Sequence, residues 1–212
     1  STNAVVLQGM ASRVSTNIFV VAKTGDYDAD FVQDATYAQY SGNNSYLYET
    51  NIVRKLGAGT MRLNDIFNVP GGLFVEGGFL KLGANYVWGK DSYGNRTPIT
   101  FVGGGLSAAA GTTNFFDKAT FRETTTIKVE KDAVVTFSTA SNVTFTPGKR
   151  INITVPMDPT TKALQGGVRI GYNVYGKTEE QLADVRMNGR RVKLGSDGFL
   201  QYLNPGLAII LR

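Results

Sequence analysis

The chain of 212 residues contains no cysteine and no histidine. The first absence removes disulfides and thiolate metal sites. The second removes Ser-His-Asp and Cys-His catalysis, histidine-ligated zinc and ordinary imidazole proton transfer. Any catalysis would have to rest on carboxylates, lysine or tyrosine. No apolar run approaches the roughly 18 residues of a membrane-spanning helix. The opening stretch, STNAVVLQGMASR, lacks the basic start and long apolar region of an intact signal peptide, and Ser1 is what removal of an initiator Met would leave. Charge of either sign is sparse: 18% of residues, with 22 Lys and Arg against 17 Asp and Glu, net +5. Nucleic-acid binding calls for a denser basic stripe with interleaved aromatics. The clusters Lys149-Arg150 and Arg186, Arg190, Arg191 and Lys193 instead suit solvated turns and a hairpin.

What is present favours strands. Hydrophobic residues make up 42% of the chain, and 25 glycines punctuate segments rich in Thr, Val, Phe and Tyr. The expected fold class is mostly β, with short antiparallel strands and one or two short helices. Four segments follow from composition. Residues 1–70 are mixed, with a strand at Ile18 to Val21, a short helix capped by Asp28 or Asp30, with Phe31, Ala35 and Ala38 on one face, and stopped by Gly42-Asn43, and a strand or helix over SYLYETNIVRKLG. Residues 71–118 are glycine-rich, with strands at Leu73 to Val75 and Phe79 to Leu82, then a loop or arm from Gly103 to Gly111. Residues 119–156 carry a repeat. Residues 157–212 are β-rich, with a strand over GGVRIGYNVYG, a capping box from Thr178 to Gln181 opening a short helix, a hairpin turn at Asn188-Gly189, a turn at SDG, and a closing strand LAIILR.

The repeat is an octad. Its first and third positions are Ala119 and Phe121, Ile127 and Val129, Val135 and Phe137, Val143 and Phe145, Ile151 and Ile153. Alternate residues of a strand share a face, so each pair points one way. Two arrangements satisfy this. An antiparallel meander would turn near Asp132, Ala140 and Gly148. Alternatively the triplets climb an axis in one sense. Eight residues span only about 26 Å, too little for one chain to close a turn, so three chains would each supply a face. In that arrangement Phe121, Ile127, Val129, Val135, Phe137, Val143, Phe145, Ile151 and Ile153 form the oligomer interface.

The eight-residue strand repeat is similar to the trimeric β-helices in the spikes and fibres of tailed phages. Needle-type versions carry Val first and Gly third. Here Phe121, Val129, Phe137, Phe145 and Ile153 hold the third position, which suits a wider trimeric stalk or a β layer in a virion protein. The resemblance implies a non-enzymatic structural protein located in the virion, a capsid decoration or fibre or stalk subunit. Its partners would be its own copies, as a homotrimer, and other virion proteins such as a capsid shell. It implies no cofactor, no membrane and no nucleic acid.

Other residues suggest a different class. Tyr37, Tyr40, Tyr46 and Tyr48, with Asn43 and Asn44 between, could contact a glycan or protein partner. The protein would then be a secreted or cell-surface β-sandwich binding module, adhesin-like or pilin-like. Asp26, Asp28 and Asp30 have the alternate spacing that opens a calcium loop, but Phe31 and Tyr37 stand where Gly and Glu are needed; turn and capping acids fit better. A carboxylate hydrolase would need two of Glu76, Asp91, Asp117 and Glu123 to face each other across a sugar. Trp88 is expected in a core, with its indole N–H on a backbone carbonyl.

Overall fold

The computed structural model describes residues 16–25, 28–35, 37–38, 52–69, 71–88, 97–137, 140–171 and 177–203. Nearly all regular structure is strand, and most pairs are parallel. The first wall stacks β1 (Thr16–Val20), β4 (Ile52–Leu56), β7 (Leu73–Val75), β9 (Ile99–Phe101), β12 (Ala119–Phe121) and β15 (Val143–Phe145). The second stacks β2 (Phe31–Gln33), β5 (Thr60–Leu63), β8 (Phe79–Leu82), β10 (Gly105–Ala108), β13 (Thr125–Val129), β16 (Ile151–Thr154) and β18 (Val185–Met187), then β19 (Arg190–Leu194) and β20 (Leu200–Tyr202). The third comes in two pieces. One is β3 (Tyr37–Ala38) with β6 (Phe67–Asn68); the other is β11 (Thr113–Phe116), β14 (Val134–Phe137) and β17 (Gly167–Ile170). Trp88, bridged in parallel to Phe67, stands between them.

The chain visits the walls in rotation and returns to each 19 to 36 residues later, with steps of 20 to 26 in the series Val53, Leu73, Ile99, Ala119, Val143. This is a solenoid of one chain. The octad belongs to it: successive triplets lie in β12, β13, β14, β15 and β16, which fall in walls one, two, three, one and two. A triplet therefore pairs with the one three units on, Phe121 with Phe145 and Ile127 with Ile153, both in parallel. The antiparallel meander is overturned by this pairing. Asp132 and Gly148, with φ of 59° and 76°, do sit at turns. Those turns are corners between walls rather than reversals, and the three-residue 3-10 turn Ala140–Asn142 makes the corner between them. Three octads, not one, close a coil.

Phe121, Ile127, Val129, Val135, Phe137, Val143, Ile151 and Ile153 are all buried inside this one chain, with Phe145 packed against the same core. They line its interior rather than a surface between chains. The apolar alternation forms ladders along the axis. In the third wall Tyr37, Phe67, Trp88, Phe116 and Phe137 follow one another with ring centroids 5.0, 5.7, 4.8 and 5.5 Å apart. In the first wall Phe101, Phe121 and Phe145 do the same at 4.9 and 5.5 Å. Each contact adds about 0.5–1.5 kcal/mol beyond the area it buries. Trp88 Nε1 donates to the Thr97 carbonyl at 2.6 Å, as a buried indole requires.

The walls run unbroken past residues 70 and 118, where composition changes. The expected arm after Gly103 is instead the wall strand β10, buried along its whole length. A side chain at Gly105 would collide with the Phe79 ring, so the glycine makes room there for an aromatic. The helix expected between Asp28 and Gly42 is also absent over the described residues: Phe31–Gln33 and Tyr37–Ala38 are the wall strands β2 and β3, and residues 39–43 lie outside the described residues. Parallel pairing with β5 and β6 outweighs a helical face of only three small or apolar residues.

At the C-terminal end the regular coil stops. Asn188 and Gly189 (φ 48° and 80°) turn β18 back into antiparallel β19, and the Gly198 turn (φ 81°) leads into β20. The Thr178 capping box forms: Gln181 N donates to Thr178 Oγ1 at 3.2 Å and Thr178 N to Gln181 Oε1 at 3.1 Å. It opens a turn rather than a helix, because the chain must enter β18 at Val185. The expected strand over GGVRIGYNVYG is β17 as far as Ile170; Tyr172, Val174 and the segment LAIILR lie outside the described residues.

Candidate functional site

Three features of this solenoid bear on function: its polar clusters, a cleft at one end, and its outer faces. The most unusual polar group is internal. Strand β4 alternates so that Val53 and Lys55 both point inward, and Lys55 occupies a ladder position between Phe19 and Val75. It is fully buried. Its Nζ donates to the carbonyls of Gly57 at 2.9 Å, Gly59 at 2.5 Å and Gly77 at 2.5 Å. These carbonyls belong to the corner between the first two walls. Gly78 (φ 57°) packs on the same corner, where a Cβ would stand 2.6 Å from Lys55 Nζ and collide with the Gly59 carbonyl. Burial lowers the Lys55 pKa to about 8, with Asp30 opposing the shift. Lys55 is thus a clamp joining two corners, and the alternation in "NIVRKLG" was the signal for its inward position.

A second cluster lies outside the second wall. Lys81 is buried and pairs with Asp28 and, at 2.7 Å, with Glu130; Asp28 also takes Arg62 at 2.6 Å. The Lys81 ammonium holds the Asp28 carboxyl below the usual range. Asp30 accepts from Thr24 N, Thr24 Oγ1 and Thr60 N, each at 2.8 Å, and these bonds lower its pKa. Asp28 and Asp30 are therefore occupied by cations and amides. Among the described residues no three acids gather as a metal site would need; Asp26 lies outside them.

The acids considered for hydrolysis are also engaged. Glu76 takes Arg54 through both oxygens at 2.5 and 2.7 Å, which lowers its pKa. Glu123 takes Lys149 at 2.6 Å. Asp117 follows β11 at a corner of its own coil, and Asp91 lies outside the described residues. Of the four tyrosines, only Tyr37 is described. It stacks on Phe67, and its hydroxyl accepts from Asn17 Nδ2 at 3.1 Å. Burial raises its pKa. That makes it part of the aromatic ladder rather than a partner contact. Tyr40, Tyr46 and Tyr48 lie outside the described residues.

The cleft, of about 360 Å³, lies beside β15 at the C-terminal end. Val143, Phe145, Ile151 and Val185 supply apolar surface, and Lys149, Lys177, Glu180, Gln181 and Asp184 supply polar groups. Lys177 Nζ stands 5.8 Å from the Phe145 ring centre, and burial lowers its pKa. An aromatic wall ringed by mixed charges suits binding of a polar molecule.

The outer faces differ from end to end. On the first wall the outward row runs Ile18, Arg54, Phe74, Thr100, Thr120, Thr144. At the N-terminal end Ile18, Val20 and Val32 are exposed at 55%, 72% and 43%, as is Ile66 nearby in the chain's second coil at 44%. Ile18 and Val20 share the outward side of β1 in the first wall, and Val32 faces outward from β2 in the second; isolated exposed apolar residues are ordinary, but a pair on one strand is a candidate contact surface. The sequence strand at Ile18 to Val21 was legible; which of its faces would be bare was not.

No family model, curated protein or solved structure matches the chain. Its class rests on its own strand pairing: a mostly β protein, built as a three-walled parallel solenoid closed by one chain.

Proposed function

We propose that this protein is a non-enzymatic structural subunit of a phage virion, a capsid decoration or a fibre or stalk subunit, working as a homotrimer bound to other virion proteins such as a capsid shell. The observation that supports the proposal is the set of exposed apolar side chains on the first coil of the solenoid, Ile18 and Val20 on the outward side of β1 and Val32 on the outward side of β2. Six strands of one wall, stacked at about 4.8 Å, make a rod roughly 24 Å long. Such a rod extends or braces an assembly by geometry alone, and repeated weak contacts on a lattice add through effective concentration. The second and third copies cover Ile18, Val20 and Val32, so the trimer forms through outer faces and each chain keeps its own core.

Light scattering behind a sizing column tests the proposal. The expected mass is three chains, falling to one in Ile18→Asp with Val32→Asp, while the melting temperature of the dissociated chain stays within a few degrees of a monomeric reference. A wild-type mass of one chain at every concentration, with no association when capsid shells are added, would overturn it.

A further inference from the structure

The cleft at the C-terminal end plays no part in the assembly proposed above. Among the described residues β15 is the last strand of the first wall, so side chains from both of its faces reach the cleft, Thr144 from the outward face and Phe145 from the inward one. Further lining comes from the turn that enters β18. Lys177, Glu180, Gln181 and Asp184 follow one another at steps of three, one and three residues, and a bond of 3.1 Å from Leu182 N to the Thr178 carbonyl winds that segment as a helical turn. Residues at such steps share one side of the turn. The volume of about 360 Å³ falls within the range of small-molecule sites, about 300–1,000 Å³.

The cleft leaves one cation unmatched. Lys177 is half-buried beside the Phe145 ring and makes no ion pair among the described residues, although Glu180 and Asp184 line the same cleft. Burial lowers its pKa and no carboxylate opposes the shift, unlike Lys55, where Asp30 does. Asp184 instead accepts from Gly148 N at 2.9 Å, and Glu180 is exposed to solvent. Lys149, the other cation of the cleft, is taken by Glu123. The cleft also holds unspent polar groups: the hydroxyls of Ser141, Thr144 and Thr146 and the Gln181 Nε2 make no hydrogen bond among the described residues.

Each of these features restricts the ligand. A partly desolvated ammonium without a counter-charge calls for one anionic group. Glu180 and Asp184 repel a second, which weighs against phosphate dianions and nucleotides. The free hydroxyls and amide call for a partner rich in hydroxyls, and the same two carboxylates can accept from them. Phe145 supplies an aromatic surface for the C–H groups of a ring. We infer that the cleft binds a sugar acid, a pyranose ring carrying a single carboxylate, with the carboxylate on Lys177 and the sugar hydroxyls on Thr144, Thr146 and Gln181.

The test titrates glucuronate into the isotope-labelled chain and follows NMR shifts, with the methyl ester of glucuronate, glucose 6-phosphate and phenylalanine as comparison ligands. Glucuronate is expected to bind, and its uncharged ester to bind about tenfold more weakly or less. Lys177→Met keeps the aliphatic stem and removes the charge; it is expected to weaken glucuronate binding about tenfold, and Lys177→Arg to retain it. Thr144→Val, which removes an exposed hydroxyl, is expected to weaken it a few-fold. Unchanged melting temperatures separate these losses from misfolding. No binding of glucuronate by the wild type, or equal binding by Lys177→Met, would overturn the inference. So would tighter binding of the ester, of the dianionic glucose 6-phosphate or of the zwitterionic phenylalanine. The readout is independent of subunit mass, so its failure leaves the trimer proposal standing.

Discussion

Phe137→Asp is expected to unfold the isolated chain. Phe137 is 1% exposed, stacks on Phe116 and meets Phe121 edge-on at the junction of two aromatic ladders. Removing a buried phenyl ring costs about 3–5 kcal/mol in lost transfer energy and cavity. An unpaired carboxylate in the same place adds several more. The total approaches the whole stability of a typical domain, about 5–15 kcal/mol. Circular dichroism should therefore show loss of the β signal and of cooperative melting at every protein concentration. Thr144→Asp, on the exposed side of β15, should change stability by no more than about 0.5 kcal/mol. If the octad faces met between chains, the Phe137 variant would instead remain a folded monomer.

Lys55→Met carries the second large effect. Methionine fits the buried stem, but the carbonyls of Gly57, Gly59 and Gly77 lose their shared donor. Gly59 keeps the Phe79 N–H at 3.3 Å, while the half-buried Gly57 and Gly77 carbonyls lose this donor, and an acceptor left without a partner costs about 1–3 kcal/mol. Relief from burying a charge offsets part of this, so a net loss of about 3 kcal/mol is expected. For a chain of this length that lowers the melting temperature by about 6–12 °C. The pH dependence has a definite sign. The folded pKa is about 8 and the ordinary lysine value 10.5, so between them the unfolded chain holds more protons than the folded one. Stability then rises with pH through that window. Denaturant titrations at pH 7.5 and 10 should show the wild type gaining on Lys55→Met, by up to about 3 kcal/mol. A constant difference across that range would mean that Lys55 keeps an ordinary affinity for its proton.

Much of this architecture was legible in the chain and some was not, for physical reasons. Flanking Gly-Gly pairs marked Leu73 to Val75 and Phe79 to Leu82 as strands, and alternation marked the octad triplets, because burial of one face imposes a period of two. The same chemistry marked Asp132, Gly148 and Asn188-Gly189 as turns. Local sequence does not distinguish a corner from a reversal, since both need a residue tolerant of positive φ. Whether triplets pair with neighbours or with partners three units on therefore remained open. Outside residues 119–153 the step between strands is uneven, as the jump from Leu73 to Ile99 shows. A period of about 24 residues was hidden by those uneven corners. The site was less legible still. Alternation in "NIVRKLG" sets Lys55 on the side of Val53, but that stretch reads equally as strand or helix, so its burial shows only when β4 is aligned with Phe19 and Val75.

The claim on which all of this rests is that one chain closes its own coils. Its lack of cysteine permits a direct test, because any introduced pair is the only pair. Thr120 and Thr144 are register partners on β12 and β15, three octads apart and facing outward. Neighbouring strands bring such residues within the roughly 4.4–6.8 Å between Cα atoms that a disulfide needs. Thr120→Cys with Thr144→Cys should oxidise to a bridge within one chain, faster-migrating without reductant and unaffected by dilution. Thr120→Cys with Lys128→Cys, adjacent octads on different walls, should not. Bridging in the second pair, or a first pair that links only between chains, would contradict the single-chain solenoid.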